Sequence, residues 1–181
     1  MATRESVLKS IEDQQVEFVV LWFTDITGNV KSVTVPASRL EDIIDFGLHF
    51  DGSSVEGFSR VAESDMVLSP DLSTFIVFPW DPTAEKTARL ICTVHTPDGA
   101  PFIGDPRGVL AKMLNEAKAL GYRFKTGMEL EYYLFRHSKD SLLPLKPYDE
   151  ASYFDISNDF GSSIRRKFMQ TLQATGIRVD S

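Results

Sequence analysis

The chain has a single cysteine, Cys92, among its 181 residues. No internal disulfide is open to it, and no CxxC pair or Cys/His metal spacing surrounds it. Disulfide scaffolds and thiolate zinc sites are thereby excluded, and a reducing, cytoplasmic setting is expected. No window approaches the roughly 20 apolar residues that cross a bilayer, and the opening "MATRESVLKSIEDQQ" lacks an apolar signal core. A soluble intracellular protein without a membrane partner is expected. Dense Lys/Arg runs are missing as well: 26 Asp+Glu oppose 19 Lys+Arg, for a net charge of -7. Nucleic acid and anionic lipid are therefore not the expected partners. Internal repeats and low-complexity tracts are also absent. What is present is apolar content, 43% of residues, enough to bury the core of one domain or one and a half.

Periodicity divides the chain. Thr3 to Asp13 carries Val7, Leu8 and Ile11 at helical spacing, with Thr3 at the N-cap and Ser6 near it. "VEFVVLWFTDITGNVKSVTV" predicts a hairpin turning at Thr27-Gly28-Asn29. "ASRLEDIIDFG" predicts a short helix closed by Gly47, and "HFDGSSVEGFSR" reads as turn chemistry interrupted by aromatics. "DMVLSPDLSTFIVFPW" and "TARLICTVHTPDGAPF" add three short strand candidates. A small α+β domain is expected over the first hundred residues. Asp105 then caps a helix with Pro106 at its first position and a stop at Gly121. A buried strand, "GMELEYYLF", a Pro-punctuated loop, a helix in "NDFGSSIRRKFMQTLQATG" and the start of a strand in "IRVDS" follow. Those elements predict the opening of a second domain whose sheet has too few strands to close.

Two stretches carry chemistry. In "GMELEYYLF", Glu129 and Glu131 stand two apart, so a strand aims both carboxylates at one face and Met128, Leu130 and Tyr132 at the other. One reading is an edge strand with a solvated face. Against it, the flanks are aromatic, and paired carboxylates repel unless a cation joins them. Hard oxygen ligands without His or Cys nearby favour Mg²⁺ or Mn²⁺ over zinc. A third reading is an acid/base pair of the glycosidase kind, although that chemistry sets its carboxylates across a substrate.

The other stretch is "FDGSSVEGF". Asp51-Gly52-Ser53-Ser54 suits a simple Asx turn. Directly behind it Arg60, Glu63, Asp65 and Asp71 stand among few apolar residues, which suits a loop working at a shared surface.

"FDGSSVEGFSRVAESDMVLSPDLSTFIVFPW", "GDPRGVLAK" and "GMELEYYLF", in that order, resemble glutamine synthetase of the bacterial and archaeal type I over essentially the whole chain. The resemblance implies a β-grasp-like N-terminal domain over about residues 14–100 and, over 105–181, an incomplete catalytic α/β domain. It further implies ATP-dependent ligation of ammonia to glutamate through a γ-glutamyl phosphate, and an assembly of two stacked hexamers. Glu129 would belong to the ion on the ATP phosphates and Glu131 to the ion on the glutamate side, as Mg²⁺ or Mn²⁺. Asp51 would bind ammonium and take its proton, reaching into a neighbouring subunit, with Ser54 supporting its loop. Arg60 matches a position associated with glutamine feedback; a surface salt-bridge arginine is the other reading.

The sequence also departs from the family. "EASYFDIS" stands where Gly-Gly-Tyr-Phe-Asp is usual, which puts Glu150 and Ala151 at less typical positions. His49, His95 and His137 do not stand where the family's metal histidine would, and the family continues to more than twice this length. An N-terminal part of a glutamine synthetase, inactive alone, is the expectation. A γ-glutamylamine or polyamine ligase of the same family, or a non-catalytic fragment that docks on full-length subunits, are the alternatives.

Overall fold

Thr3 closes the first helix from both sides. Its hydroxyl accepts from Ser6 N–H at 3.2 Å, and the Ser6 hydroxyl accepts from Thr3 N–H at 2.8 Å. This reciprocal cap satisfies two donors that a helix start otherwise leaves open, and α1 runs Arg4–Gln14 with Val7 buried. The computed structural model describes residues 2–55, 65–80, 85–137, 144–152, 154–156 and 158–180. Two units divide the chain, Met1–Phe124 and Lys125–Ser181.

In the first unit, β1 (Val16–Thr24) and β2 (Val30–Pro36) form the expected hairpin. Gly28 in its turn has φ +87°, a conformation that costs glycine nothing. Asp25 fastens the turn: its buried carboxylate accepts from Thr27 N–H, Thr27 Oγ1 and Asn29 N–H and lies 3.3 Å from Lys31 Nζ. After a 3-10 turn at Ala37–Arg39, α2 (Leu40–Phe46) buries Leu40 and Ile43. Arg4 of α1 reaches Glu41 and Asp45 of α2 at 2.7 and 3.1 Å. Then come β3 (Leu48–Asp51), β4 (Asp65–Val77), β5 (Lys86–His95) and α3 (Pro106–Ala119).

The strands make one sheet in the order β2-β1-β5-β4-β3, with β1 and β5 parallel and the other neighbours antiparallel. Alternation sends Val19, Leu21 and Phe23 of β1 and Ala88, Leu90, Cys92 and Val94 of β5 to one face, where they meet Val7, Leu40 and Ile43 of the helices. The result is the expected α+β arrangement of β-grasp kind. Cys92 belongs to this core, and burial pushes its thiol up to about 12, so it is an unreactive apolar filler.

Four local expectations are corrected. "HFD" is not turn chemistry alone, because Leu48–Asp51 forms the edge strand β3. The three short strands expected over "DMVLSPDLSTFIVFPW" and "TARLICTVHTPDGAPF" are two long ones, β4 with an irregularity between Asp71 and Ile76 and β5, and past the Pro97-Asp98-Gly99 turn there is only the bridge His95↔Pro101. In the second unit, "GMELEYYLF" does not form the expected buried strand. Residues 122–134 join no ladder, and Met128, Leu130 and Tyr133 are exposed. A strand exists only through a neighbour that takes up its N–H and C=O groups; among the described residues the segment finds only the bridge Phe135↔Pro147. "IRVD" likewise makes no strand. The expected last helix is present as α4 (Ser162–Ala174), whose Phe168 meets Tyr132 edge to face at 5.6 Å.

Candidate functional site

β3 presents its residues by simple alternation. Leu48 and Phe50 turn inward, Phe50 packing against Phe23 with ring centroids 5.1 Å apart, while His49 and Asp51 are exposed. Asp51 ends the strand and starts a 3-10 turn, Gly52–Ser54. One of its oxygens accepts from Ser53 N–H at 2.9 Å, and Val55 N–H closes the turn on Gly52 O at 3.0 Å. The Asx-turn expectation is therefore met, and the turn holds a carboxylate at the edge of the sheet. Ser54, the last residue of the turn, is exposed beside it.

The antiparallel register puts Asp65, the first residue of β4, directly opposite Asp51, and Val67 opposite His49. Directly opposed residues share a face, so two carboxylates project side by side from this corner. Like charges so placed repel, and a cation at the corner relieves them. Asp65 was legible only as one charge in an acidic loop; its partnership with Asp51 depends on a register that the turn residues do not spell out.

Farther along β4, Asp71 accepts from the Ser73 N–H and hydroxyl and pairs with Arg107 of α3 at 2.6 Å. Burial pushes the Asp71 carboxyl up, but Ser73 and Arg107 outweigh it and hold the group below its ordinary range. This pair joins a helix to a strand and is structural. His95 is also occupied, between the Thr93 hydroxyl at 3.1 Å and Gly99 O at 3.2 Å.

Glu129 and Glu131 lie in the second unit, both exposed, on the segment that joins no ladder. They are hard oxygen donors of the kind Mg²⁺ and Mn²⁺ accept, but an octahedral ion needs a fuller shell. Among the described residues no group of three or more His, Cys, Asp or Glu side chains is placed to hold a metal. These residues alone do not fit a divalent ion. Arg60 and Glu63 lie outside the described residues.

Two family models match the chain and meet near residue 100, whereas its two compact units meet at Phe124 and Lys125. The glutamine synthetase β-grasp domain model matches residues 15–97, and the glutamine synthetase catalytic domain model matches 103–181. Glutamine synthetase of Clostridium saccharobutylicum is 41% identical over 180 residues, covering 99% of this chain and 41% of that protein. The Staphylococcus aureus enzyme (strain N315) is 42% identical over 181 residues, with the same coverage of 99% and 41%. The chain thus spans about 41% of the length of these relatives. Among solved structures, a Plasmodium falciparum glutamine synthetase covers the whole chain with TM-score 0.74 at 16% identity, over 42% of its own length, and speaks for the fold alone. A GmaS complex with ADP covers 66% of this chain and 26% of its own, with TM-score 0.58 and 28% identity. Both family models, met in order along one chain, and relatives above 40% identity across its length place the chain in the glutamine synthetase family.

Proposed function

We propose that this chain is the N-terminal part of an ATP-dependent ligase that joins ammonia to the γ-carboxylate of L-glutamate, with a β-grasp domain over about 14–100 and the start of the catalytic domain over 105–181. The observation that carries the reading is the exposed Asp51 carboxylate, held by a capped turn at the end of an edge strand.

The chemistry asks two things of such a group. Ammonium is a cation and is attracted by a carboxylate, more so by Asp51 and Asp65 together. Ammonium is also not a nucleophile, and Asp51 can take its proton once the site is closed. A γ-carboxylate oxygen of glutamate first attacks the terminal phosphorus of ATP, and ADP leaves. Neutral ammonia then attacks the acyl carbon and phosphate departs, so the carbon–oxygen bond that breaks leaves its oxygen on phosphate. Ser54 supports the Asp51 turn in this reading. Glu129 and Glu131 are its metal-facing carboxylates, and Arg60 its candidate for glutamine feedback. The working form is a cytoplasmic homo-oligomer in which Asp51 serves a neighbouring subunit. Activity is expected of the full-length gene product and not of this stretch alone.

The test is an assay of that gene product for phosphate release requiring ammonium, glutamate and ATP together. Asp51→Ala is expected to depress ammonia use more than γ-glutamyl phosphate formation. Phosphate release that needs a primary amine, and ignores ammonium, would instead favour a γ-glutamylamine ligase.

A further inference from the structure

We propose that Gly47 is a positioning residue for Asp51: the lack of a side chain at residue 47 fixes the register in which β3 joins β4, and so decides that Asp51 faces outward while Phe50 faces the core. The inference rests on the reading of Asp51 as the ammonium-binding carboxylate and adds what holds that carboxylate in place.

β3 is four residues long and lies at the edge of the sheet, with β4 as its neighbour. Side chains alternate with a period of two, so a slip of one residue would exchange Asp51 with Phe50. So short a strand has little pairing with which to resist a slip. The resistance comes from its N-terminal side. α2 ends where Gly47 N–H bonds to Ile43 O at 2.9 Å, and Gly47 takes φ 76° and ψ 175°. That backbone region is essentially closed to residues with a Cβ. The space is closed as well: a Cβ at residue 47 would lie 2.4 Å from Val67 Cγ1 and 3.0 Å from Leu68 O.

Both obstacles belong to β4 and neither to α2, which separates Gly47 from an ordinary helix stop. The chain leaves the helix pressed against β4, and the very next residue, Leu48, pairs with Leu68. From that first pair the count to Asp51↔Asp65 is fixed. A side chain at residue 47 would lift the junction off β4 and loosen or shift every later pair, with Asp51 at the far end.

The experiment compares Gly47→Ala, Val67→Ala, their combination and Asp51→Asn in the full-length gene product, and follows amide exchange of the β3 residues. Gly47→Ala is expected to raise KM for ammonium about tenfold or more while KM for glutamate and ATP moves less than about twofold, since only the Asp51 geometry is disturbed. Exchange should quicken in β3 and stay slow in β1 and β5. Val67→Ala alone should leave KM for ammonium unchanged, and added to Gly47→Ala it should recover a part of the loss at most, because it removes the nearest obstacle while the positive φ and Leu68 O still oppose a Cβ.

Unchanged ammonium KM and unchanged β3 exchange in Gly47→Ala would overturn the proposal, as would an equal rise in all three KM values. If Gly47→Ala gives no soluble protein, the double variant carries the comparison; insolubility of both would also overturn it, because residue 47 would then serve the whole fold. Faster β3 exchange in Gly47→Ala together with a silent Asp51→Asn would overturn the ammonium reading beneath it and leave the register device standing.

Discussion

Val94 N–H donates to the buried Asp105 carboxylate at 3.1 Å, joining the end of β5 to the start of α3. The other Asp105 oxygen accepts from Arg107 N–H at 3.0 Å as the helix N-cap. One side chain therefore satisfies a strand donor and a helix donor at once, at the point where the chain passes from the first matched family model to the second.

Asp105→Ala leaves both donors without their acceptor. Loss of a cap and of a buried hydrogen bond together should destabilise the first unit by about 2–3 kcal/mol. A urea titration of the variant reads this as a lower midpoint with an unchanged slope. An unchanged midpoint would mean that water replaces the carboxylate.

Asp25 makes stability depend on acid. Burial pushes its carboxyl up, and the hydrogen bonds from Thr27, Asn29 and Lys31 outweigh burial and hold it below its ordinary value of 3.8. A depressed folded-state value means that the contribution is fully present above the unfolded-state value and is lost as pH falls toward the folded one. Asp25→Asn is therefore expected to be less stable than the parent by a constant margin from neutral pH down to about 5, and the margin should narrow below about 4. Urea midpoints across that range check it; a margin that widens in acid would contradict it.

The opposed pair Asp51 and Asp65 should be a mild liability when no cation sits beside it. Asp65→Asn is expected to stabilise the chain at low salt by less than about 1 kcal/mol, since exposed charges are well screened. The gain should fade toward 1 M salt, where the Debye length is about 3 Å. A loss of stability at low salt would mean that Asp65 is held by an attractive partner.

Glu131 carries no ladder and no core contact here, so Glu131→Gln should leave the melting of this chain unchanged while weakening the metal-dependent activity of the full-length gene product. Titration of that activity with Mg²⁺ should show a raised half-saturation. Equal Mg²⁺ curves for the two proteins would remove Glu131 from the metal site.

Much of the first unit was legible because its signals are local. Thr3 and Ser6, Gly28, and Asp105 before Pro106 each act within four residues, and each marks a boundary found in the fold. β3 was missed because Leu48–Asp51 is short and runs straight into a turn, even though its alternation of inward Leu48 and Phe50 with outward His49 and Asp51 was present. The strand expected around Glu129 and Glu131 failed for the opposite reason. Its composition was right, but a strand is made by a neighbour, and residues 122–134 have no ladder partner among those described. The Asp51–Asp65 corner required the register of two strands, which is fixed from the close approach of Gly47 to β4.

The central claim is ligation through an acyl phosphate, and the fate of one oxygen tests it most directly. L-Glutamate labelled with ¹⁸O in its γ-carboxylate would be incubated with ATP, ammonium and the full-length gene product, and the released phosphate analysed by mass. The account predicts one ¹⁸O in each phosphate released, with glutamine formed in equal amount, and in Asp51→Ala glutamine formation falls more than the release of labelled phosphate. Unlabelled phosphate would mean that water cleaves ATP without activating glutamate, and would contradict it.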